Sequence, residues 1–176
     1  MYKRQYINRA VADGCKVISI SWGLPDYDTE FSDPTYGPSN LSFFQGWDSA
    51  FESARNQGVI VLAASGDYGS VIRPGRSGVS YPASSSYVVA VGGTVLTVNT
   101  STGAKISETI WPDSGGGFSS FSPRPSWQTG LTYQTYNTIT NVVGLPTAIG
   151  PYRGLPDLAA PAYNYCLLYT SPSPRD

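Results

Sequence analysis

The sequence contains no histidine. That absence removes every imidazole base, every Ser–His or Cys–His pair and every His-ligated metal from the chemistry open to these residues. Charge is also scarce, at 13% of the 176 residues, against about 25% in an ordinary soluble domain. With 11 Lys and Arg against 12 Asp and Glu, there is no basic track for a phosphate backbone or an anionic lipid surface. Neither a nucleic acid nor a membrane is expected as a partner. The longest strongly apolar run, residues 59–64, falls far short of the roughly 20 residues that a membrane helix needs. The first residues lack the apolar segment of a signal peptide. Cysteine is nearly absent too, with two in the chain, Cys15 and Cys166.

What remains is a globular composition, 40% hydrophobic and 13% aromatic. The two ends read as foreign to it. Residues 166–176 resemble the translation of a transposon sequencing-library adapter, and residues 1–5 resemble the other end of the same transposon. Both are set apart from the fold as artefacts, and residues 6–165 are read as part of a longer domain cut on both sides. Cys15 is then the one native thiol. It cannot form an internal disulfide, and its place just before an apolar run suggests a small buried side chain.

Residues 6–13 read as the tail of a helix stopped by Gly14. Lys16-Val-Ile-Ser-Ile-Ser-Trp22 alternates, is rich in β-branched residues and meets Gly23, which predicts a strand ending in a turn. Residues 24–39, with prolines and acidic residues, read as a surface loop. Asn40 or Ser42 then caps a helix, with Gln45 completing a capping box. Phe44, Trp47, Phe51 and Ala54 recur at helical spacing, and the helix runs to about Gln57 before Gly58. The apolar run 59–64 follows at once, as in parallel strands covered on both faces. Strand, helix and strand at this spacing predict an α/β fold, a mostly parallel sheet with helices on both faces. Residues 87–91 form a further buried strand closed by Gly92 and Gly93, and 95–98 with 106–110 a hairpin around Gly103. Residues 113–150, dominated by Gly, Ser, Pro and Thr, read mostly as loop.

Ser65, Gly66 and Asp67 fall just past the carboxyl end of the second strand, where open parallel sheets place their ligand crevices. A carboxylate there can bind a metal, accept a substrate proton or cap the segment that follows. Spacing alone leaves these open, with a plain structural turn beside them.

Several motifs narrow the choice. Val17-Ile-Ser-Ile-Ser-Trp-Gly23, Val61-Leu-Ala-Ala-Ser-Gly-Asp67, Tyr81-Pro-Ala-Ser84 and Ala90-Val-Gly-Gly-Thr94 resemble the sedolisin family of serine-carboxyl peptidases. Glu108-Thr-Ile-Trp111, Ser114-Gly-Gly-Gly-Phe-Ser119, Phe121, Arg124-Pro125, Trp127-Gln128 and Arg153-Gly-Leu-Pro-Asp157 continue the pattern in the same order. The resemblance implies a subtilisin-like α/β domain, here partial, that hydrolyses peptide bonds at acidic pH. In such enzymes a serine is activated by a glutamate, itself hydrogen-bonded to an aspartate. A histidine of pKa about 6.5 is cationic in acid, whereas a carboxylate near 4 still accepts a proton.

The resemblance further implies that Asp67 lines the oxyanion hole, donating from a neutral carboxyl. Ser21, Trp22 and Gly23 with Ser65 and Gly66 would bind the substrate, a polypeptide. A plain core tryptophan is the competing reading of Trp22. Gly115, Gly116 and Gly117 would permit a close backbone approach or merely flexibility, and Asp157 is as much a structural as a functional candidate. No Gly-Thr-Ser triplet of a nucleophile occurs. The Glu/Asp pair and the family's calcium site are expected outside these residues, so no metal ligand is assigned and the piece alone is expected to be inactive. Secretion to an extracellular, acidic setting follows from the family. Two alternatives stay open: a His-dependent subtilisin, which would place Asn at the oxyanion position, and a non-catalytic extracellular binding domain with a Gly/Ser/Tyr contact face. Asn40-Leu-Ser42 and Asn99-Thr-Ser101 fit the N-glycosylation pattern.

Overall fold

The computed structural model describes residues 2–26, 41–69, 71–73, 76–133, 136–137, 142–143, 147–148 and 150–163. The chain begins with helix α1 (Tyr2–Ala12), closed by Gly14, and runs into strand β1 (Val17–Ile20) and the short β2 (Leu24–Pro25). Helix α2 (Leu41–Asn56) leads to β3 (Ile60–Ala64), then to β4 (Val71–Arg73), β5 (Arg76–Ser77) and β6 (Ser80–Tyr81). The long β7 (Val89–Val98) turns back into β8 (Lys105–Ile110), and β9 (Gly117–Pro123) precedes a 3-10 turn at Ser126–Gln128. Four two-residue strands follow, β10 (Thr132–Tyr133), β11 (Tyr136–Asn137), β12 (Val142–Val143) and β13 (Thr147–Ala148), before β14 (Tyr152–Leu155) and β15 (Leu158–Pro161).

The alternating and apolar runs pair as expected. β1, β3, β7 and β15 lie side by side in one parallel sheet, with Val17 opposite Ile60, Leu62 opposite Val89 and Leu158 opposite Val91. The far half of β7 pairs antiparallel with β8, the expected hairpin. From α2, Phe44, Trp47, Ala50, Phe51 and Ala54 bury against Ile20, Val61, Ala63 and Ala90, and α1 adds Ile7. Phe51 and Ala54 are wholly inaccessible. Truncating a phenylalanine so placed costs about 3–5 kcal/mol.

The described helices, α1 and α2, pack against each other, and by strand alternation Val17, Ile60 and Leu158 point to the other face and stay about half exposed. Several local expectations change. Gly92 and Gly93 do not end a strand. β7 passes through them, Gly92 and Gly93 pairing with Ala159 and Ala160 of β15, and no side chain fits at either, since a Cβ at Gly92 would stand 2.8 Å from Pro156 Cγ and one at Gly93 2.6 Å from Trp111 Cε3. Residues 113–150 are not all loop, since β9 pairs antiparallel with β14. The expected surface loop after Gly23 starts as β2, bridged to β6 through Leu24–Tyr81 and Pro25–Ser80. Its residues 27–39, the Asn40 cap, the Ser42 side chain and residues 166–176 lie outside the described residues. Cys15 is exposed rather than buried, because it sits on the turn after α1, its N–H bonded to Ala10 O, before β1 enters the sheet.

Candidate active site

β1 and β3 are parallel neighbours, so their carboxyl ends open at the same edge of the sheet. β3 ends at Ala64, and the Ser65 N–H still donates to Val91 O at 2.9 Å, which holds the chain to β7 for one more residue. Gly66 then adopts φ +116°, a conformation that L side chains rarely enter. That turn brings Asp67 out into solvent at the strand end. From β1 the chain leaves through Ser21, Trp22 and Gly23 opposite it.

Two adjoining pockets result. The larger, about 340 Å³, is lined by Ser21, Ser65, Gly66 and Asp67 together with Gly93 and Trp111. The smaller, about 160 Å³, is lined by Ser21, Trp22, Gly23, Gly66 and Asp67 with Tyr68 and Ser80. All six residues singled out from the sequence therefore meet at one rim, and Asp67 stands on the wall shared by both spaces. Trp22 takes both of its readings: it lines the smaller pocket and packs edge-on against Trp47, ring centroids 5.4 Å apart, at the margin of the core.

The glycine triplet supports this turn by close approach. Gly115 N–H donates to Gly66 O at 2.8 Å, and Gly116 N–H to Gly69 O at 3.1 Å. A Cβ on Gly115 would lie 2.1 Å from Ser65 O, so no side chain fits there. Ser114 Oγ, from the same segment, accepts the Gly93 N–H at 2.9 Å. The sequence gives no sign of Ser80, because the pairing of β2 with β6 that delivers it is a contact between distant segments. Tyr68 lies beside Asp67 in the chain, and that adjacency was the available signal.

Asp157 belongs to the framework. Arg153, wholly buried, donates from Nη1 to Asp157 Oδ1 at 2.9 Å and from Nη2 to Oδ2 at 2.6 Å. The same guanidinium donates to the carbonyls of Ser85 and Val88, and Asp157 Oδ2 also accepts the Ala90 N–H at 2.8 Å. Burial would raise the Asp157 carboxyl, but the hydrogen bonds from Arg153 and Ala90 outweigh it and hold the group below the usual carboxylate range. The clamp fixes the start of β15 to β7 and leaves no oxygen of Asp157 for substrate chemistry.

Among the described residues no three Asp, Glu, His or Cys side chains cluster to hold a metal ion, so no calcium site is built from them. No described helix is long and apolar enough to cross a membrane.

The subtilase family model matches residues 2–142. Kumamolisin of Bacillus sp. strain MN-32 is 37% identical over 158 residues, which cover 83% of this chain and 24% of that protein. Sedolisin of Pseudomonas sp. strain 101 is 37% identical over 142 residues, 70% of this chain and 22% of its own length. A solved structure of Pseudomonas sedolisin, a serine-carboxyl proteinase complexed with two molecules of pseudo-iodotyrostatin, aligns with a TM-score of 0.67 at 30% identity and covers 90% of this chain and 41% of that one. The chain spans about a quarter of the length of the curated relatives it matches.

Proposed function

Because this chain belongs to the subtilase family, in its sedolisin branch, we propose that the protein of which it is part is a serine-type endopeptidase that cleaves polypeptides in acid. The observation that carries this reading is the position of Asp67, on the wall common to both pockets and beside the Ser21–Trp22–Gly23 edge. An extended peptide lies along that edge by backbone pairing, one side chain entering the smaller pocket. The scissile carbonyl then comes under Asp67. A protonated Asp67 carboxyl donates a hydrogen bond to the oxygen that becomes negative as the tetrahedral intermediate forms. Charge that develops only in the transition state is stabilised there without an equal gain for the ground state.

The nucleophilic serine and its Glu/Asp pair are assigned to the remainder of the protein, as is calcium, and this chain alone does not turn substrate over. Secretion into an acidic extracellular space fits the low charge of the chain.

The test uses the complete protein. Asp67→Ala removes one oxyanion donor and is expected to lower kcat about 10²- to 10³-fold with little change in KM. Asp67→Asn keeps an amide donor in the same place. Activity therefore persists in this variant. Unchanged turnover in Asp67→Ala refutes the assignment.

A further inference from the structure

Asp26 carries a carboxyl that the proposed chemistry does not use. It is 2% exposed, and among the described residues no cation lies against it. Its partners are hydroxyl and amide groups. Ser119 Oγ donates to Oδ2 at 2.5 Å, the Ser120 N–H lies 3.3 Å from Oδ1, and the Asp26 N–H donates to Val79 O.

The connectivity matters more than the burial. Asp26 follows β2 directly, and Trp22, Gly23 and Leu24 before it line the smaller pocket. Ser119 lies in β9, which begins at Gly117, the last glycine of the triplet seated under Ser65 and Gly66. One buried carboxyl thus ties the wall formed by the Trp22–Leu24 edge to the strand that supports the opposite wall.

Among the described residues the surroundings offer nothing to neutralise a charge. The charged groups on the neighbouring turn are engaged elsewhere. Asp48 of α2 accepts from Tyr81 Oη at 3.0 Å and from Ser85 Oγ at 2.6 Å, with Glu52 close by. Arg153 binds Ala83 O and Ser85 O on that turn but is committed to Asp157. Ionising Asp26 therefore strands a charge that, among the described residues, is met by Ser84, Ser119 and Ser120 and by no cation, in a position where desolvation is costly.

We propose that Asp26 is a positioning residue that holds the substrate edge against β9, and that the cost of placing a charge in this buried position loosens the edge as pH rises from acid toward neutrality. Burial pushes this carboxyl above the usual range, against the hydrogen bonds of Ser119 and Ser120 that pull it down. For a group so shifted, the folded state gains stability in acid, and that gain is lost as pH rises past the ordinary carboxylate value of about 4 and through the value of the buried group.

The experiment follows thermal melting and KM for a peptide substrate of the complete protein between about pH 4 and pH 7, bracketing the ordinary carboxylate range. The KM arm rests on the peptidase reading; the melting arm does not, so a protein that melts as expected without cleaving peptides overturns that reading alone. The parent protein is expected to lose at least about 3 °C in Tm over this range through Asp26 and to show a rising KM. Asp26→Asn, which keeps shape and an acceptor without a charge, flattens both trends. Ser119→Ala removes the bond that favours the charged form and moves the fall in Tm to higher pH. An Asp26→Asn protein that tracks the parent, or a Ser119→Ala protein whose fall stays in place, overturns the proposal.

Discussion

Gly115 shows how tightly single residues govern this site. Its Cα hydrogen occupies space that a methyl group would have to share with Ser65 O at 2.1 Å and Ser65 C at 2.5 Å. Both atoms are backbone, so they cannot rotate aside. Gly115→Ala is therefore expected to cost about 1–3 kcal/mol, as overpacking does, and to displace the turn that carries Asp67. Denaturant unfolding of the complete protein measures the first effect, and a fall in kcat larger than any change in KM measures the second. The residues of this rim were readable from sequence where they are unusual: a Ser-Gly-Asp turn after an apolar run, a Trp-Gly at a strand end, three consecutive glycines. Ser80 was hidden because its place depends on β6 meeting β2. Asp26 read as one acidic residue of a surface loop, since nothing local announces that β9, far along the chain, closes over it.

At the scale of elements, β14 and β15 are joined by the Arg153–Asp157 clamp across the proline turn. Removing the guanidinium in Arg153→Met leaves the Ser85 and Val88 carbonyls and the Asp157 carboxylate without their donor. The expected cost is about 3 kcal/mol, the lower end for breaking a buried pair, because the Asp157 side chain keeps 19% of its surface. The pH dependence has a definite sign. In the parent the Asp157 carboxyl is held low, so its contribution is present above the ordinary carboxylate value and lost only as pH falls through the lower folded value. The clamp thus survives in mild acid. In Arg153→Met burial prevails over the remaining bonds, the carboxyl rises, and protonation relieves it. The deficit of the variant is expected to narrow from pH 7 to about pH 4, the ordinary carboxylate value. Urea midpoints at the two values check this, and a constant deficit would mean that only packing was lost.

The same scale separates the legible elements from the rest. β1, α2 and β3 follow from period-2 and period-3.6 patterns that agree with their burial. β7 was divided at two glycines because glycine usually punctuates a strand. Here its lack of a side chain instead lets Pro156 and Trp111 press onto the sheet. β9, Gly-Phe-Ser-Ser-Phe-Ser-Pro, has little β-propensity. It is held by β14 and by the buried carboxyl of Asp26.

For the whole molecule, the decisive feature is the sheet face turned away from α1 and α2. Parallel sheets are stable when both faces are covered. Here Val17 and Ile60, opposite each other in register, are 55% and 54% exposed, and Leu158 across the sheet is 46% exposed. A face of this kind offers a contiguous apolar surface rather than scattered single residues. The 176-residue chain expressed by itself is therefore expected to bind a hydrophobic dye strongly and to melt without a sharp transition. It is also expected to leave an acid-denatured protein substrate uncut, because the rim holds an oxyanion donor and a substrate edge but no described nucleophile with a base. Dye fluorescence, calorimetry and a peptide-release assay at about pH 4, where carboxylates begin to ionise, test the three parts together. A sharp calorimetric peak with low dye binding would show that the exposed face is tolerated, and measurable peptide release would show that a nucleophile resides within these residues after all.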